Sequence, residues 1–442
     1  MSVCVPLCEM DDKMKRTIYR KLKVREKADV RSKSSMFRSL KEIAPYRIQE
    51  EQQFIYLPFQ WAYSQPYFQP YRRPRTDYDM LQTRFKGQLR DEQKVIQTEA
   101  IQHMNRQGSI LIACYPGFGK TITTLSISSK IGLKTLILVN RVILIDQWVA
   151  SIRNFYHENV RIQVLSATSK MDDADFYIMN AINTEKRSVA DFEKVGLLVV
   201  DECHLMITSV FVRALGYICP RYLIGLSATP FRPDGLDVLL DIYFGTDRIV
   251  REMFRRHIVY KVNTNIVIEG EQDERGTLIW NSVLQKQMTH EARNHFIRDV
   301  CLFFDTRNVL ILCKRIQQVE DLHHLLSLET PTATLKGNEN EFNTDCRVLI
   351  ATVSKVGVGF SFDKLDMLVL ACDLKEYYLQ FVGRVFRKPD VVPVIIDIVD
   401  KNPVLFRHFK SRLKVYQDCG GSVHDFRTMF PDFQLLFDPL LV

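Results

Sequence analysis

The stretch ACYPGFGKTITTLS, residues 113–126, places two glycines, a lysine and a threonine directly after an apolar run. The glycines permit backbone conformations that turn successive N–H groups toward one point, and the helix expected to follow favours an anion there. The lysine adds a positive charge, and the threonine hydroxyl is a Mg²⁺ ligand in loops of this pattern. We therefore expect a strand, a phosphate-binding loop and a helix. The loop residues expected to contact a nucleotide are Pro116, Gly117, Phe118, Gly119, Lys120 and Thr121.

Cys114 stands where the pattern G-x-x-x-x-G-K-[ST] begins with glycine. Cysteine is small, so the loop also fits the spacing small-x-x-G-x-G-K-T. The sequence predicts a working nucleotide site, with Mg²⁺ as the accompanying metal ion.

Length and composition limit the classes of protein to consider. A chain of 442 residues is too long for one compact core and predicts two or three domains. The net charge of +8 favours a polyanionic partner, and residues 13–41 carry twelve Lys/Arg against two acids. The ten cysteines form no C-x-x-C pair, which argues against zinc sites and disulfides and favours a reducing compartment. Without a signal-peptide pattern or a run able to span a bilayer, we expect an intracellular protein that has no membrane partner.

Two blocks of β-branched and leucine-rich runs predict two parallel sheets, because continuous apolar runs are typical of strands buried on both faces. The first block has runs at 109–115, 135–140, 197–202 and 222–229, and the second at 308–313, 347–352, 367–372 and 393–400. We expect an α/β chain with two such domains in tandem, and with functional loops at the strand ends.

The flanking segments are expected to be less regular. Residues 1–45 are basic and poor in core-forming residues, which predicts that much of this segment is mobile, and the aromatic and proline-rich segment 57–75 predicts an extended chain packed on the surface. Residues 406–422 predict a basic amphipathic helix ending at Gly420 and Gly421. The expected division is 1–84 as an N-terminal extension, 85–250 and 251–400 as the two sheet domains, and 401–442 as a C-terminal helical extension.

The run LLVVDECH, residues 197–204, ends a predicted strand in two carboxylates and a histidine. At such a strand tip, Asp201 is suited to hold Mg²⁺ through water, and Glu202 to orient and deprotonate an attacking water. Together with the phosphate loop, this pair predicts hydrolysis of the bound nucleotide.

The tetrapeptide DECH, followed by GLSATPFR at 225–232, resembles the superfamily 2 helicases and nucleic-acid translocases. The resemblance continues in order along about three hundred residues. Its other motifs are GQLRDEQKVIQTEAI (87–101), LILVNRVILIDQW (136–148), VLILCKRIQQVEDL (309–322), IATVSKVGVGFSFDKLDMLVLA (350–371) and QFVGRVFR (380–387).

This resemblance implies two RecA-like domains with an ATP cleft between them. It implies that Gln93 reads the adenine edge, and that Gly359 and Gln380 also lie at the nucleotide. Arg384 and Arg387, three residues apart on one helical face, are expected to bring positive charge to the γ-phosphate from the second domain. His204, Ser227 and Thr229 are the implied coupling residues. The implied contacts to the nucleic-acid backbone are Arg141, Lys314, Arg315 and Thr352.

The motifs look closest to the branch that holds XPB-like repair helicases, phage recombination helicases and the poxviral transcript-release helicase, and particularly to members from large DNA viruses. The sequence departs from the family's motifs at two places. Cys203 stands where alanine is common, and Asp363 lies four residues after the second glycine of its motif, Gly359, although the family's aspartate usually follows that glycine directly. The resemblance implies a 3′-to-5′ DNA-dependent ATPase, with DNA favoured over RNA. For the oligomeric state, we favour a monomer. Implied partners are transcription or replication proteins, and implied places are the host cytoplasm, the viral factory and the virion. The alternatives are an RNA helicase and an ATP-gated transcription-release factor without processive unwinding.

Overall fold

The computed structural model describes residues 2–25, 42–51, 53–206, 216–228, 236–339, 341–357, 360, 362–374, 378–386, 388 and 390–433. The chain forms two compact units. One consists of Met1–Cys114 and Phe118–Arg251, and the other of Glu252–Val442 together with Tyr115–Gly117. Within the described ranges, no helix has the length and hydropathy needed to cross a membrane.

The first unit begins with a small folded region, the N-terminal module, which comprises the described residues from Ser2 to Asp77. Strands β1, β5 and β4 form an antiparallel sheet in the order β1–β5–β4, and β2 pairs with β3. Its elements are β1 (Ser2–Pro6), α1 (Asp12–Lys21), β2 (Val24–Arg25), β3 (Glu42–Ile43), β4 (Arg47–Gln49), β5 (Phe54–Pro58) and α2 (Phe59–Tyr63), with 3-10 helices at Leu7–Glu9, Pro66–Tyr71 and Arg75–Asp77.

Two expectations for this region are wrong within its described part. Residues 2–25 are folded, because Val5, Ile18 and Leu22 pack with Leu57 and Phe68 into one buried apolar cluster. The segment 57–75 is not extended: it forms a short α-helix and a 3-10 helix. Aromatic side chains of that segment pack into or against the cluster. The prediction of an extended chain gave weight to the prolines and did not include this packing.

The rest of the first unit is a seven-stranded parallel sheet in the order β12–β6–β11–β10–β7–β9–β8. Its strands are β6 (Ser109–Cys114), β7 (Thr135–Val139), β8 (Ile162–Leu165), β9 (Phe176–Asn180), β10 (Leu197–Val200), β11 (Tyr222–Ser227) and β12 (Arg248–Arg251). Its helices are α3 (Asp91–Gln107), α4 (Lys120–Ile131), α5 (Ile143–Phe155), α6 (Cys203–Met206) and α7 (Val238–Phe244), with 3-10 helices at Ala181–Lys186 and Val189–Phe192.

The central strands of this sheet position the candidate site. β6, β7, β10 and β11 are buried at every residue, as their continuous apolar runs predict. Because the strands are parallel, their carboxyl ends lie at one edge of the sheet, and the loops that follow them are neighbours.

The second unit is built on another seven-stranded parallel sheet, in the order β15–β16–β14–β17–β18–β13–β19. Its strands are β13 (His257–Val267), β14 (Val309–Cys313), β15 (Thr332–Leu335), β16 (Val348–Thr352), β17 (Met367–Leu370), β18 (Val394–Lys401) and β19 (Gly421–Asp425). Its helices are α8 (Trp280–Thr289), α9 (Glu291–Phe303), α10 (Ile316–Leu326), α11 (Val353–Val356), α12 (Tyr378–Val385), α13 (Pro403–Asp418) and α14 (Phe426–Met429).

The predicted fold class is confirmed: two parallel sheets follow one another along the chain, and each of the eight predicted apolar runs contains a strand. The predicted C-terminal helix is α13, which ends at Asp418, just before Gly420 with its left-handed φ of 88°. The strand that follows, β19, joins the second sheet beside β13 and was not predicted.

Candidate functional site

The phosphate loop between β6 and α4 has the backbone that its glycines predict. Gly117 and Gly119 have φ values of 85° and 93°, in the left-handed region that favours glycine. Gly119 is the N-cap of α4, which runs for 12 residues, so the loop ends at the positive end of a helix dipole. The loop therefore directs backbone N–H groups and a favourable field to the place where a phosphate would bind.

Lys120 and Thr121, the first two residues of α4, are placed for a nucleotide with its metal. Lys120 Nζ donates a hydrogen bond of 2.8 Å to the carbonyl oxygen of Cys114, at the end of β6. The hydroxyls of Thr123 and Thr124 donate to carbonyls of the preceding turn. Among the described residues, the Thr121 hydroxyl has no such partner, so its oxygen is available to a metal ion. These side chains fit a Mg²⁺–ATP complex.

Two side chains of the segment before the loop hold it from the α3 side. Gln93 Nε2 donates to the carbonyl oxygen of Phe118 at 2.9 Å, and its Oε1 accepts from the N–H of Arg90 at 2.9 Å. The guanidinium of Arg90 donates to the same Phe118 carbonyl. Gln93 was predicted to contact the nucleotide, whereas Arg90 was missed, because its position beside the loop follows from the packing of α3.

The acidic strand end lies directly after β10. Asp201 Oδ1 accepts from the N–H of Glu202, and its Oδ2 accepts from Nε1 of Trp148 on α5, each at 2.9 Å. Burial and the neighbouring Glu202 raise the pKa of the Asp201 carboxyl to about 6, while the nearby charge of Lys120 and the indole donor oppose the rise. Lys120 and Asp201, which are 81 positions apart in the sequence, therefore belong to one electrostatic site.

Glu202 is held in an unusual backbone conformation. Its φ of 47° is left-handed, although it carries a full side chain. Its Oε2 is buried and accepts no hydrogen bond from a described residue. A strained residue with an unsatisfied carboxylate oxygen is typical of a functional position, and this oxygen is suited to accept from a water molecule.

The histidine of the same motif connects the acidic pair to the next strand. His204 Nδ1 lies 3.5 Å from Glu202 Oε2 and 2.9 Å from the hydroxyl oxygen of Ser227, the last residue of β11. Both His204 and Ser227 are buried. The third predicted coupling residue, Thr229, lies outside the described residues.

In the second unit, Arg384 lies on α12, and its guanidinium donates to the carbonyl oxygens of Gly357 and Phe360. It thus holds the loop that follows α11, the segment in which Gly359 was predicted to lie at the nucleotide. Gly359 and Arg387 lie outside the described residues. Gln380 belongs to α12 by its backbone, and its side chain is not described.

A cavity of about 660 Å³ in the second unit brings together three predicted nucleic-acid contacts, Lys314, Arg315 and Thr352. Arg315 donates to Asn281 at 2.9 Å, and the hydroxyl oxygens of Thr352 and Ser354 are 3.2 Å apart. The cavity also has polar lining residues that the sequence did not indicate, namely Gln285, Thr289, Gln317 and Ser354.

The fourth predicted contact, Arg141, lies in the first unit after β7 and is exposed. The two residues after it, Val142 and Ile143, are exposed apolar side chains at the start of α5. The carboxyl edge of the first sheet thus presents a cation beside an apolar surface.

Comparison with known proteins agrees with this site. The model of the family described as "Type III restriction enzyme, res subunit" matches residues 86–232. The protein named "Putative helicase 161L" from Invertebrate iridescent virus 6 is 40% identical over 380 residues, which are 80% of this chain and 86% of that protein. "DNA 3'-5' translocase XPB2" from Sulfurisphaera tokodaii is 22% identical over 381 residues, covering 74% and 85% of the two chains.

A solved structure of S. cerevisiae Dbp5, bound to RNA and ADP BeF3, shares the fold with a TM-score of 0.53. It is 13% identical and covers 78% of this chain and 92% of that one. The extent of the match to the iridovirus protein, taken with the order of motifs along two parallel sheets, shows that the chain belongs to the superfamily 2 helicases, in the group found in large DNA viruses.

Proposed function

We propose that this protein is an ATP-driven translocase that moves along single-stranded nucleic acid, with DNA as its preferred track and 3′-to-5′ as its direction. The observation that carries the proposal is the connected set of Lys120, Asp201, Glu202, His204 and Ser227 in the first unit. The set combines groups that can bind phosphate, metal and water with contacts that run from Glu202 through His204 to Ser227.

When bound, ATP with Mg²⁺ supplies the phosphoanhydride whose hydrolysis drives the cycle. Lys120 exchanges the Cys114 carbonyl for phosphate oxygens and neutralises their charge. Thr121 and Asp201 would hold the metal ion, which would neutralise charge on the phosphate oxygens. With respect to the residues that the structure describes, Gln93 keeps one N–H and one lone pair beyond its two hydrogen bonds, which suffices for an adenine edge.

Glu202 acts as the general base. Its buried Oε2 accepts a proton from the attacking water, and the nearby imidazole of His204 stabilises the carboxylate. We assign to Arg384 and Arg387 the neutralisation of charge that develops on the γ-phosphate. For Arg384 this role requires release of the carbonyls of Gly357 and Phe360, which would couple its movement to that loop.

The hydrogen bond between His204 and Ser227 supports coupling between hydrolysis and grip, because a change at the acidic pair alters the end of β11 directly. Lys314, Arg315 and Thr352 contact strand phosphates in the cavity of the second unit, and Arg141 does so in the first. The preference for DNA and the direction rest on sequence motifs and on the similarity to an archaeal DNA 3'-5' translocase.

The test compares ATP hydrolysis without nucleic acid, with single-stranded DNA and with single-stranded RNA of the same sequence. We expect stronger stimulation by DNA, and stimulation by RNA alone would overturn the preference for DNA. Release of streptavidin from biotin at the 5′ end, and not at the 3′ end, is the expected sign of 3′-to-5′ movement. A protein that hydrolyses ATP without displacing streptavidin from either end would contradict translocation.

A further inference from the structure

The N-terminal module carries a surface cleft that the ATPase site does not use. Its volume is about 420 Å³, within the range of about 300–1,000 Å³ of pockets that bind small organic groups. The cleft lies between α1 and the β4–β5 side of the module. Its lining residues are Leu7, Met10, Lys15, Arg16, Ile18, Tyr19, Arg20, Tyr46, Ile48 and Ile55.

The floor of the cleft is apolar, and part of the rim is exposed and apolar. Ile18 and Ile55 are buried and belong to the core of the module. Tyr19 and Ile48 remain 60% and 48% exposed, although both are large apolar side chains. An exposed aromatic ring beside an apolar floor is suited to a flat, apolar ligand group.

The remaining rim is positively charged. Lys15, Arg16 and Arg20 are exposed on α1 and form no ion pair with any residue that the structure describes. Lys23 lies 4.0 Å from the centre of the Tyr19 ring and is paired with Glu42 at 2.8 Å. The Lys23–Glu42 pair fixes a cation at the ring of Tyr19, while most of the tyrosine surface stays accessible.

We propose that this cleft is a binding site for single-stranded nucleic acid, in which a base stacks on Tyr19 and the phosphates on either side contact Lys15, Arg16 and Arg20. A single strand offers flat bases and a phosphate at every nucleotide, which matches an apolar floor next to three exposed cations. In duplex nucleic acid the bases are already stacked and paired, so they cannot enter the cleft. The inference rests on the proposed function and adds to it an anchor outside the two sheet domains.

The first test measures binding of a fluorescent single-stranded oligonucleotide of mixed sequence to the full chain by anisotropy at several salt concentrations. Arg16→Glu combined with Arg20→Glu is expected to weaken binding at least about tenfold at low salt. Since each phosphate contact adds about 0.7 to the slope of log K against log salt, loss of two contacts lowers the slope by about 1.4. Tyr19→Ala is expected to weaken binding about tenfold while leaving the slope unchanged.

The matched control is Lys13→Glu combined with Lys21→Glu. It makes the same change in charge on the same helix, at residues that do not line the cleft. The control is expected to bind within about twofold of the wild type and to hydrolyse ATP normally. Equal losses of affinity in both double variants would mean that only the net charge of α1 matters, and would overturn the proposed site. A Tyr19→Ala variant that binds like the wild type would overturn it as well.

A second measurement needs no variant. Ultraviolet cross-linking of an oligonucleotide that contains 5-iodouracil to the wild-type protein is expected to label the peptide that contains Tyr19. Labelling confined to the two sheet domains, or displacement of the oligonucleotide equally well by polyglutamate, would refute the proposal. The failure of the proposed function looks different: the wild type would then show no nucleic-acid-stimulated ATP hydrolysis.

Discussion

The indole Nε1 of Trp148 donates a hydrogen bond of 2.9 Å to Oδ2 of Asp201, so helix α5 orients one of the two carboxylates at the end of β10. Trp148 is buried, and Asp201 is its hydrogen-bond acceptor. The bond connects the segment that carries Arg141 with the acidic pair, and it lowers the pKa of a carboxyl that burial has raised.

Trp148→Phe should keep the aromatic packing and remove this donor. The pKa of Asp201 should then rise further above about 6, so a larger share of the carboxyl is protonated near neutral pH and the acid limb of kcat/KM against pH moves upward. A buried acceptor without its partner should also lower the free energy of unfolding by about 1–3 kcal/mol. The pH profile and urea unfolding check these effects, with Trp280→Phe in the second unit as the control. An unchanged acid limb would show that the protonation of Asp201 does not determine kcat/KM.

Lys120→Ala should weaken ATP binding and reduce hydrolysis by about a hundredfold or more, because it removes the ammonium group that the first turn of α4 presents to the phosphates. Nucleotide affinity and steady-state hydrolysis measure this. Lys130→Ala, in the last turn of the same helix, is the matched control and should behave like the wild type. Similar losses in both variants would mean that the effect comes from the helix and not from the loop.

Glu202→Gln should bind ATP and lose hydrolysis by about 10²–10⁴-fold, because the amide keeps the volume of the side chain but cannot take a proton from water. Filter binding and single-turnover hydrolysis separate the two properties. Unchanged turnover would remove Glu202 from the role of base.

The backbone of Glu202 permits an independent prediction. Glu202→Ala and Glu202→Gly both lack the carboxylate, but only glycine adopts a φ of 47° without strain. The glycine variant should therefore be more stable than the alanine variant by about 1 kcal/mol, although both are inactive. Thermal and urea unfolding measure the difference. An alanine variant as stable as the glycine variant would show that the conformation is not strained.

Ser227→Ala should reduce the stimulation of hydrolysis by nucleic acid more than the rate without it, because it removes the hydroxyl 2.9 Å from His204 Nδ1. A double-mutant cycle with His204→Ala should give a coupling free energy of about 0.5–3 kcal/mol in the stimulated rate. Additive effects of the two substitutions would mean that the contact does not transmit the signal.

Arg387→Ala should reduce hydrolysis about 10³-fold with little loss of ATP affinity, as expected for an arginine that acts on developing charge. Arg384→Ala should also lose hydrolysis and, in addition, lower the stability of the second unit, because its guanidinium binds two carbonyls there. Hydrolysis, nucleotide binding and unfolding of the two variants test this contrast. Normal turnover by Arg387→Ala would show that Arg387 does not neutralise charge on the γ-phosphate.

The buried strands were predictable because their residues are apolar without interruption, as in β10 and β14. β13 was missed because its sequence, HIVYKVNTNIV, contains no apolar run longer than three residues, and the strand is only partly buried. β19, with the sequence GSVHD, is polar and gains its place by pairing with β13. Such strands form because they pair with neighbouring strands that are distant in the sequence, and a local sequence pattern carries no information about that pairing.

The candidate site shows the same division. The positions of Lys120, Asp201 and Glu202 at the ends of buried strands were predictable because each stands in a short motif that follows an apolar run. Trp148 and Arg90 were not, because their hydrogen bonds join segments that are 53 and 28 positions apart. A buried tryptophan requires an acceptor, but only the packing of α5 identifies it as Asp201.

The resting partner of Lys120 is a main-chain carbonyl at Cys114, which every amino acid possesses. The side chain at the first position of the loop takes no part in this contact, and the Cys114 thiol is fully enclosed in the sheet. Alanine or serine in that place should leave the lysine poised as it is now. A sequence pattern that requires glycine at this position would therefore miss phosphate loops with this backbone.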